Sequence, residues 1–107
     1  FCVGCAVLDE DGRVFVGCNV ENISFGLTIC AERAALCAAV AAGAGRILRV
    51  AIFATSKKIV TPCGACRQVL LELAGDATVL LSCESKARRK RTVRELLPEG
   101  FSKSGWK

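Results

Sequence analysis

Cys30-Ala31-Glu32 and, further along, Pro62-Cys63-Gly64-Ala65-Cys66 are the stretches on which the reading of this chain turns. Three thiolates and one carboxylate that need not be a ligand are the parts of a hydrolytic zinc centre: three protein ligands, an open fourth position for water, and a base beside it. Cys63 and Cys66 are three residues apart. With Thr61 as a cap and Pro62 as the first helical residue, both sulfurs face one side of a helix's opening turn. Cys30 follows Thr28-Ile29 and precedes an alanine-rich run, which puts it at a second helix start. Both helix dipoles then turn their positive ends toward the metal. Three thiolates on a divalent cation leave a formal charge of minus one, and the helix ends together with Arg33 and Arg67 offset it.

A lone Cys-x-x-Cys also fits a structural zinc knuckle or a redox pair. The chain has no histidine to help close a four-ligand site. The surroundings of Cys63 lack a thioredoxin-like context, and Glu32 stands two residues from Cys30. The absence of histidine likewise excludes Ser-His-Asp and Cys-His chemistry, and no glycine-rich phosphate loop is present.

With 107 residues, the chain is expected to form a single domain over 1–107, small enough to gain from a metal or from oligomerisation. Apolar residues make up 52%, yet no run approaches a membrane span, and the opening residues lack the basic start and cleavage site of a secretory signal. A soluble, cytoplasmic protein is expected. Eight cysteines could form a disulfide framework. Three go to the metal, however, and Cys2, Cys5, Cys18, Cys37 and Cys83 lie in apolar segments, where reduced thiols are expected to be buried as small hydrophobes in a reducing compartment. Of the fifteen basic residues behind the net charge of +5, eight fall at or after Lys86, with no aromatics interleaved to stack bases. A solvated basic edge is expected there, and a polynucleotide partner is disfavoured.

Phe1 to Leu8 and Arg13 to Cys18 read as an antiparallel hairpin around Asp9-Glu10-Asp11-Gly12. Asn19 to Thr28 is an irregular polar loop leading to the first ligand. From Ala34 to Gly45 no polar side chain occurs, so that helix is expected to lie between a sheet and another subunit, the alternative being a helix at the centre of the monomer. Arg49 to Ala54, Cys63 to Ala74 and Thr78 to Cys83 alternate strand, helix, strand. This order makes the later strands parallel and sets both ligand helices on one face. Lys86 to Val93 reads as a basic edge strand, and Thr92-x-x-Glu95 as a capping box for a short helix that Pro98 stops. Ser102 to Lys107 reads as a frayed tail.

Asn19-Val20-Glu21-Asn22, Cys30-Ala31-Glu32-Arg33 and Thr61-Pro62-Cys63-Gly64-Ala65-Cys66-Arg67-Gln68 resemble the motifs of the small cytidine deaminases, and the similarity runs from Phe1 to about Phe101. The resemblance implies a cytidine deaminase-like three-layer α/β fold with a mixed five-stranded sheet. It implies one zinc per chain on Cys30, Cys63 and Cys66, and Glu32 as the proton carrier. The Ala31 amide would bind the ring carbonyl, Asn19 and Glu21 the ribose hydroxyls, and Phe1 would pack on the pyrimidine. Phe101 resembles a late aromatic that reaches a neighbour's site in a homotetramer. The family's N-terminal helix is expected to be absent from this chain. The implied reaction is hydrolytic deamination of cytidine and deoxycytidine with release of ammonia, a pyrimidine-salvage activity. Rival readings are a deaminase for another aminopyrimidine nucleoside, such as one of the blasticidin type, or a zinc-stabilised binding module.

Overall fold

Alternation of burial along the strands builds the molecule. The computed structural model describes residues 1–102, so all but the first residue of the expected tail lies outside the described residues. Strands β1 (Val3–Asp9), β2 (Val14–Cys18), β3 (Ile47–Ala54), β4 (Thr78–Cys83) and β5 (Arg88–Thr92) form one sheet in the order β2-β1-β3-β4-β5. β3 and β4 are parallel, and the other neighbours antiparallel. Helices α1 (Ala31–Ala41), α2 (Gly64–Ala74) and α3 (Val93–Leu96) complete the chain, with a 3-10 turn at Phe25–Leu27. The mixed five-stranded α/β sheet is as expected from the motif order.

On one face Cys5 and Val7 of β1, Val50 and Ile52 of β3, and Val79 and Leu81 of β4 are buried against Ala35, Leu36 and Ala39 of α1 and Leu70 and Ala74 of α2. Val93 and Leu96 of α3 join the same core. A strand's side chains alternate between faces, so the intervening Ala6, Ala51 and Leu80 line the opposite face, where a shallow concavity of 430 Å³ also takes in Arg49 and Lys90. Among the described residues the helices and the sheet share this one core.

α1 can lie close on β2 because Gly17 has no side chain: a Cβ there would stand 2.8 Å from the Ala31 carbonyl oxygen. The helix closes with a Schellman pattern, in which the Gly43 N–H bonds the Val40 carbonyl and the Ala44 N–H the Ala39 carbonyl. Gly43 takes the positive φ of 72° this requires. Elsewhere the capping box expected at Thr92 and Glu95 is formed, with both reciprocal bonds. β5 is the exposed edge strand expected from its charge.

Burial corrects the reading of the cysteines. All eight are free, but Cys2, Cys18 and Cys37 are exposed, whereas Cys5 and Cys83 are buried. An apolar segment does not say which of its sides faces the core. Cys37 lies on the outward side of α1, and Cys18 pairs with Gly4 on the sheet face that carries no helix.

Asp9, expected only as a turn residue, is fully buried. Its carboxylate accepts bonds from the N–H groups of Asp11, Arg13 and Gly45 and from Arg13 Nε, while Arg13 Nη2 donates to the Gly43 carbonyl. The β1–β2 turn is thereby tied to the loop that ends α1. Burial alone would raise this carboxyl's pKa, but the Arg13 and Gly45 amides and the Arg13 guanidinium outweigh it and hold it below the usual range. Asp9→Asn is expected to lower the melting temperature at neutral pH. A depressed folded pKa stabilises above the unfolded value of about 3.9 and ceases to do so as pH falls through the folded value. The gap between variant and wild type should thus close below about pH 4, which thermal melts across pH would measure.

Candidate metal centre

α1 and α2 both begin at the same end of the sheet. Val3 pairs with Ala54, and Gly4 with Cys18, so the start of β1, the end of β2 and the end of β3 coincide there. α1 follows β2 and α2 follows β3. Their N-caps are Cys30 and Cys63, each with extended backbone angles. This corrects the expectation that Thr61 caps and Pro62 opens the second helix: α2 begins at Gly64, and Pro62 stays outside it. An N-cap side chain leaves the helix at its positive end, where a thiolate is favoured.

The three sulfurs of Cys30, Cys63 and Cys66 lie within 4.8 Å of one another, with Cys30 and Cys63 4.0 Å apart. Thiolates at about 2.3 Å from a tetrahedral zinc are about 3.8 Å apart, so the donor set fits that ion. It is the one group of metal-ligating residues so disposed among the described residues. A second Cys-x-x-Cys, Cys2 to Cys5, falls at the start of β1, where a three-residue step sends side chains to opposite faces. Accordingly Cys2 is exposed and Cys5 buried. The same spacing on a helix turn brings Cys63 and Cys66 together.

The thiols differ in character. Burial pushes the Cys66 thiol well up, and the Cys63 thiol and the charge of Glu32 add to it. Cys63 is shifted down: burial opposes this, but the Cys66 and Ala65 amides and the Cys66 and Cys30 thiols outweigh it. Cys5, beneath the site, is raised to about 12 by burial and by Glu32. Glu32 itself is only 5% exposed. Arg33 sends Nη2 to Cys30 Sγ at 3.7 Å and to the Thr28 carbonyl at 3.4 Å, while its buried Nε has no partner among the described residues. Arg67 does not follow it. Its donors reach the Pro62 carbonyl, the Thr61 hydroxyl and the Leu96 carbonyl, three neutral oxygens.

A cavity of 220 Å³ opens over Cys30, Ala31, Glu32 and Cys63, and Phe1, Asn19 and Glu21 share its lining. Asn19 and Glu21 are brought beside Cys30 by a bridge between Val20 and Ile29, with backbone bonds of 2.8 and 2.9 Å. A two-residue bridge leaves no periodic signal, so the loop read as irregular. Asn19 Oδ1 accepts from the Val3 N–H, and Nδ2 donates to the Phe1 carbonyl and to Glu21 Oε1 at 2.8 Å. Asn19 thus fixes both Phe1 and Glu21. Thr61 also lines the cavity, as do Ile52 and Val60; the last two the sequence reading missed, since no motif marks them. Phe101 lies apart from this lining, 62% exposed, its carbonyl accepting from Gln68 Nε2.

Residues 1–83 match the family described as cytidine and deoxycytidylate deaminase zinc-binding region. A cytidine deaminase of Mycobacterium tuberculosis is 46% identical over 101 residues, covering 94% of this chain and 73% of the relative. One from Halalkalibacterium halodurans is 47% identical over 103 residues, covering 95% and 78%. The crystal structure of cytidine deaminase from Burkholderia pseudomallei superposes with a TM-score of 0.89 at 44% identity, covering 94% of this chain and 82% of that one. With its three thiols gathered at two helix starts and the family's zinc-binding region spanning most of its length, this chain belongs to the cytidine and deoxycytidylate deaminase family.

Proposed function

We propose that the protein hydrolyses cytidine and deoxycytidine to the uridines with release of ammonia, as one domain, in the cytoplasm and in pyrimidine salvage. The observation that carries this is the meeting of three thiols within 4.8 Å of one another, two of them, Cys30 and Cys63, lining a cavity that the buried residue Glu32 also lines. Cys30, Cys63 and Cys66 would hold one zinc ion, whose Lewis acidity makes water available as a nucleophile near neutral pH. Glu32 takes a proton from the attacking water and delivers it to the ring nitrogen next to the carbon under attack; it then carries the hydroxyl proton of the tetrahedral adduct to the amine, so that the new C=O forms as the C–N bond breaks and ammonia leaves. The Ala31 N–H, free of an intrahelical partner in the first turn of α1, donates to the ring carbonyl. Phe1, at the cavity rim, packs on the pyrimidine. Glu21, steadied by Asn19, accepts from the sugar hydroxyls. Arg33 balances the thiolate charge at Cys30.

The cavity supports an oligomer. At 220 Å³ it is smaller than the roughly 300–1,000 Å³ usual for small-molecule sites, so a nucleoside needs a wall from elsewhere. Ile23, 98% exposed, and Phe25, 87% exposed, lie in the site loop itself, and Val40 and Ala41 leave the outer side of α1 apolar. Apolar surface of this kind marks a contact between chains. A homotetramer in which Phe101 enters a neighbour's site is the assembly we favour. Light scattering should give four times the chain mass, and a monomer fully active on dilution would overturn the shared site. Among the described residues no helix is long and apolar enough to cross a membrane.

The test of the reaction is a panel of cytidine, deoxycytidine, cytosine and an aminonucleoside antibiotic, followed by ultraviolet absorbance and ammonia release. Both natural nucleosides should turn over. X-ray absorption on the same preparation should give three sulfurs and one lighter ligand around zinc. A four-sulfur shell with no ammonia from any substrate would sink the catalytic reading.

A further inference from the structure

Of the three thiols, Cys63 has the least support from its own element. Cys66 lies inside α2 and is fully buried, and Cys30 follows directly on the Val20–Ile29 bridge. Cys63, by contrast, is exposed, caps α2 from outside it, and ends a linker, residues 55–63, that has no helix or strand. Side-chain bonds from Arg67 hold the end of that linker. Arg67 Nε donates to the Pro62 carbonyl at 2.7 Å and Nη2 to Thr61 Oγ1 at 2.8 Å, while Nη1 crosses to the Leu96 carbonyl at 2.7 Å. Leu96 is the last residue of α3, a helix pinned by the Thr92–Glu95 capping box and by the burial of Val93 and Leu96. One turn of α2 thus carries a ligand, Cys66, and beside it the group that ties the other ligand's linker to a third element.

We propose that Arg67 is a positioning residue for the metal centre, fastening the Thr61-Pro62 segment that presents Cys63 to the C-terminal end of α3. The inference rests on the zinc reading above and gives Arg67 a task other than neutralising thiolate charge. Its three acceptors are uncharged and lie in different directions. A planar guanidinium, with five donors in a fixed fork, satisfies all three at once; a lysine ammonium is a point donor on a flexible stem and cannot. Groups that orient a ligand without touching the metal are typically worth about 10- to 100-fold in metal affinity or activity. Gln68 Nε2, donating to the Phe101 carbonyl at 2.9 Å, fastens the same C-terminal segment to the same turn a second time.

The experiment uses the full chain, measuring zinc affinity by competition with a chromogenic chelator and ligand geometry from the absorption of the cobalt-substituted protein. Arg67→Lys and Arg67→Gln are both expected to lose zinc affinity about 10- to 100-fold with a changed cobalt spectrum, lysine faring no better than glutamine. The melting temperature of the metal-free protein should stay close to that of wild type. Thr92→Ala, which loosens α3 from its cap, should also weaken zinc binding, and its effect should largely vanish in the Arg67→Lys background because both act through one bond. If Arg67→Lys binds zinc like wild type while Arg67→Gln does not, charge is what matters and the proposal fails. It fails equally if both variants keep full affinity, or if the metal-free variant is as destabilised as the loaded one. Should Arg67→Gln not fold, the lysine and Thr92 arms decide. Wild type that takes up no zinc would overturn the metal reading itself, an outcome distinct from unaffected variants.

Discussion

Glu32→Gln is expected to lower kcat on cytidine by about 10²- to 10⁴-fold while leaving zinc in place. Glutamine keeps the size of the side chain, so the first turn of α1 need not repack around a residue that is 5% exposed. What it loses is the capacity to carry a proton from water to the ring nitrogen and then one from the adduct's hydroxyl to the amine. No histidine stands in for it. The other carboxylate lining the cavity, Glu21, is exposed and already engaged by Asn19. The metal should not suffer. Glu32's negative charge contributes to raising the thiol pKa of Cys66, after burial and the neighbouring Cys63 thiol, so its removal does not disfavour the thiolates. Steady-state rates, metal content and a thermal melt on one preparation decide the matter. A variant that keeps more than about a tenth of wild-type turnover would show that another group carries the protons.

Glu21→Gln asks whether the substrate is a nucleoside rather than a free base. Asn19 Nδ2 donates to Glu21 Oε1, and a glutamine oxygen can still accept that bond, so the loop geometry should persist. Toward the sugar the change is severe: a charged acceptor becomes a neutral amide that donates where a hydroxyl also donates. The loss of one charge-assisted bond and the mismatch left behind should cost about 2–4 kcal/mol in apparent transition-state binding, or roughly 30- to 1000-fold in kcat/KM for cytidine. Any slow activity on cytosine, which brings no sugar, should change little. Equal losses on both substrates would show that Glu21 supports the loop or the metal site instead.

What the sequence by itself determined is whatever depends on a residue's position along its own element. A three-residue step on a helix turn puts Cys63 and Cys66 on one side; Thr92 and Glu95 close a capping box; alternation along β1, β3 and β4 sorts their residues by side. These are near-neighbour geometries, fixed by 3.6 and 2 residues per repeat; along β1, β3 and β4 the two-residue repeat says only which residues share a side, and burial in the fold says which side is the core. Only the tertiary structure decided what lies opposite each element. It brought Cys30 to 4.0 Å from Cys63, spent the guanidinium of Arg67 on three oxygens, buried Asp9 under the loop that ends α1, and left Cys18 and Cys37 outward in segments that read as core. Periodicity records the side of its own helix or strand that a residue takes. Which element comes to meet that side is set by the packing of the whole sheet and its helices, and no local spacing carries that information.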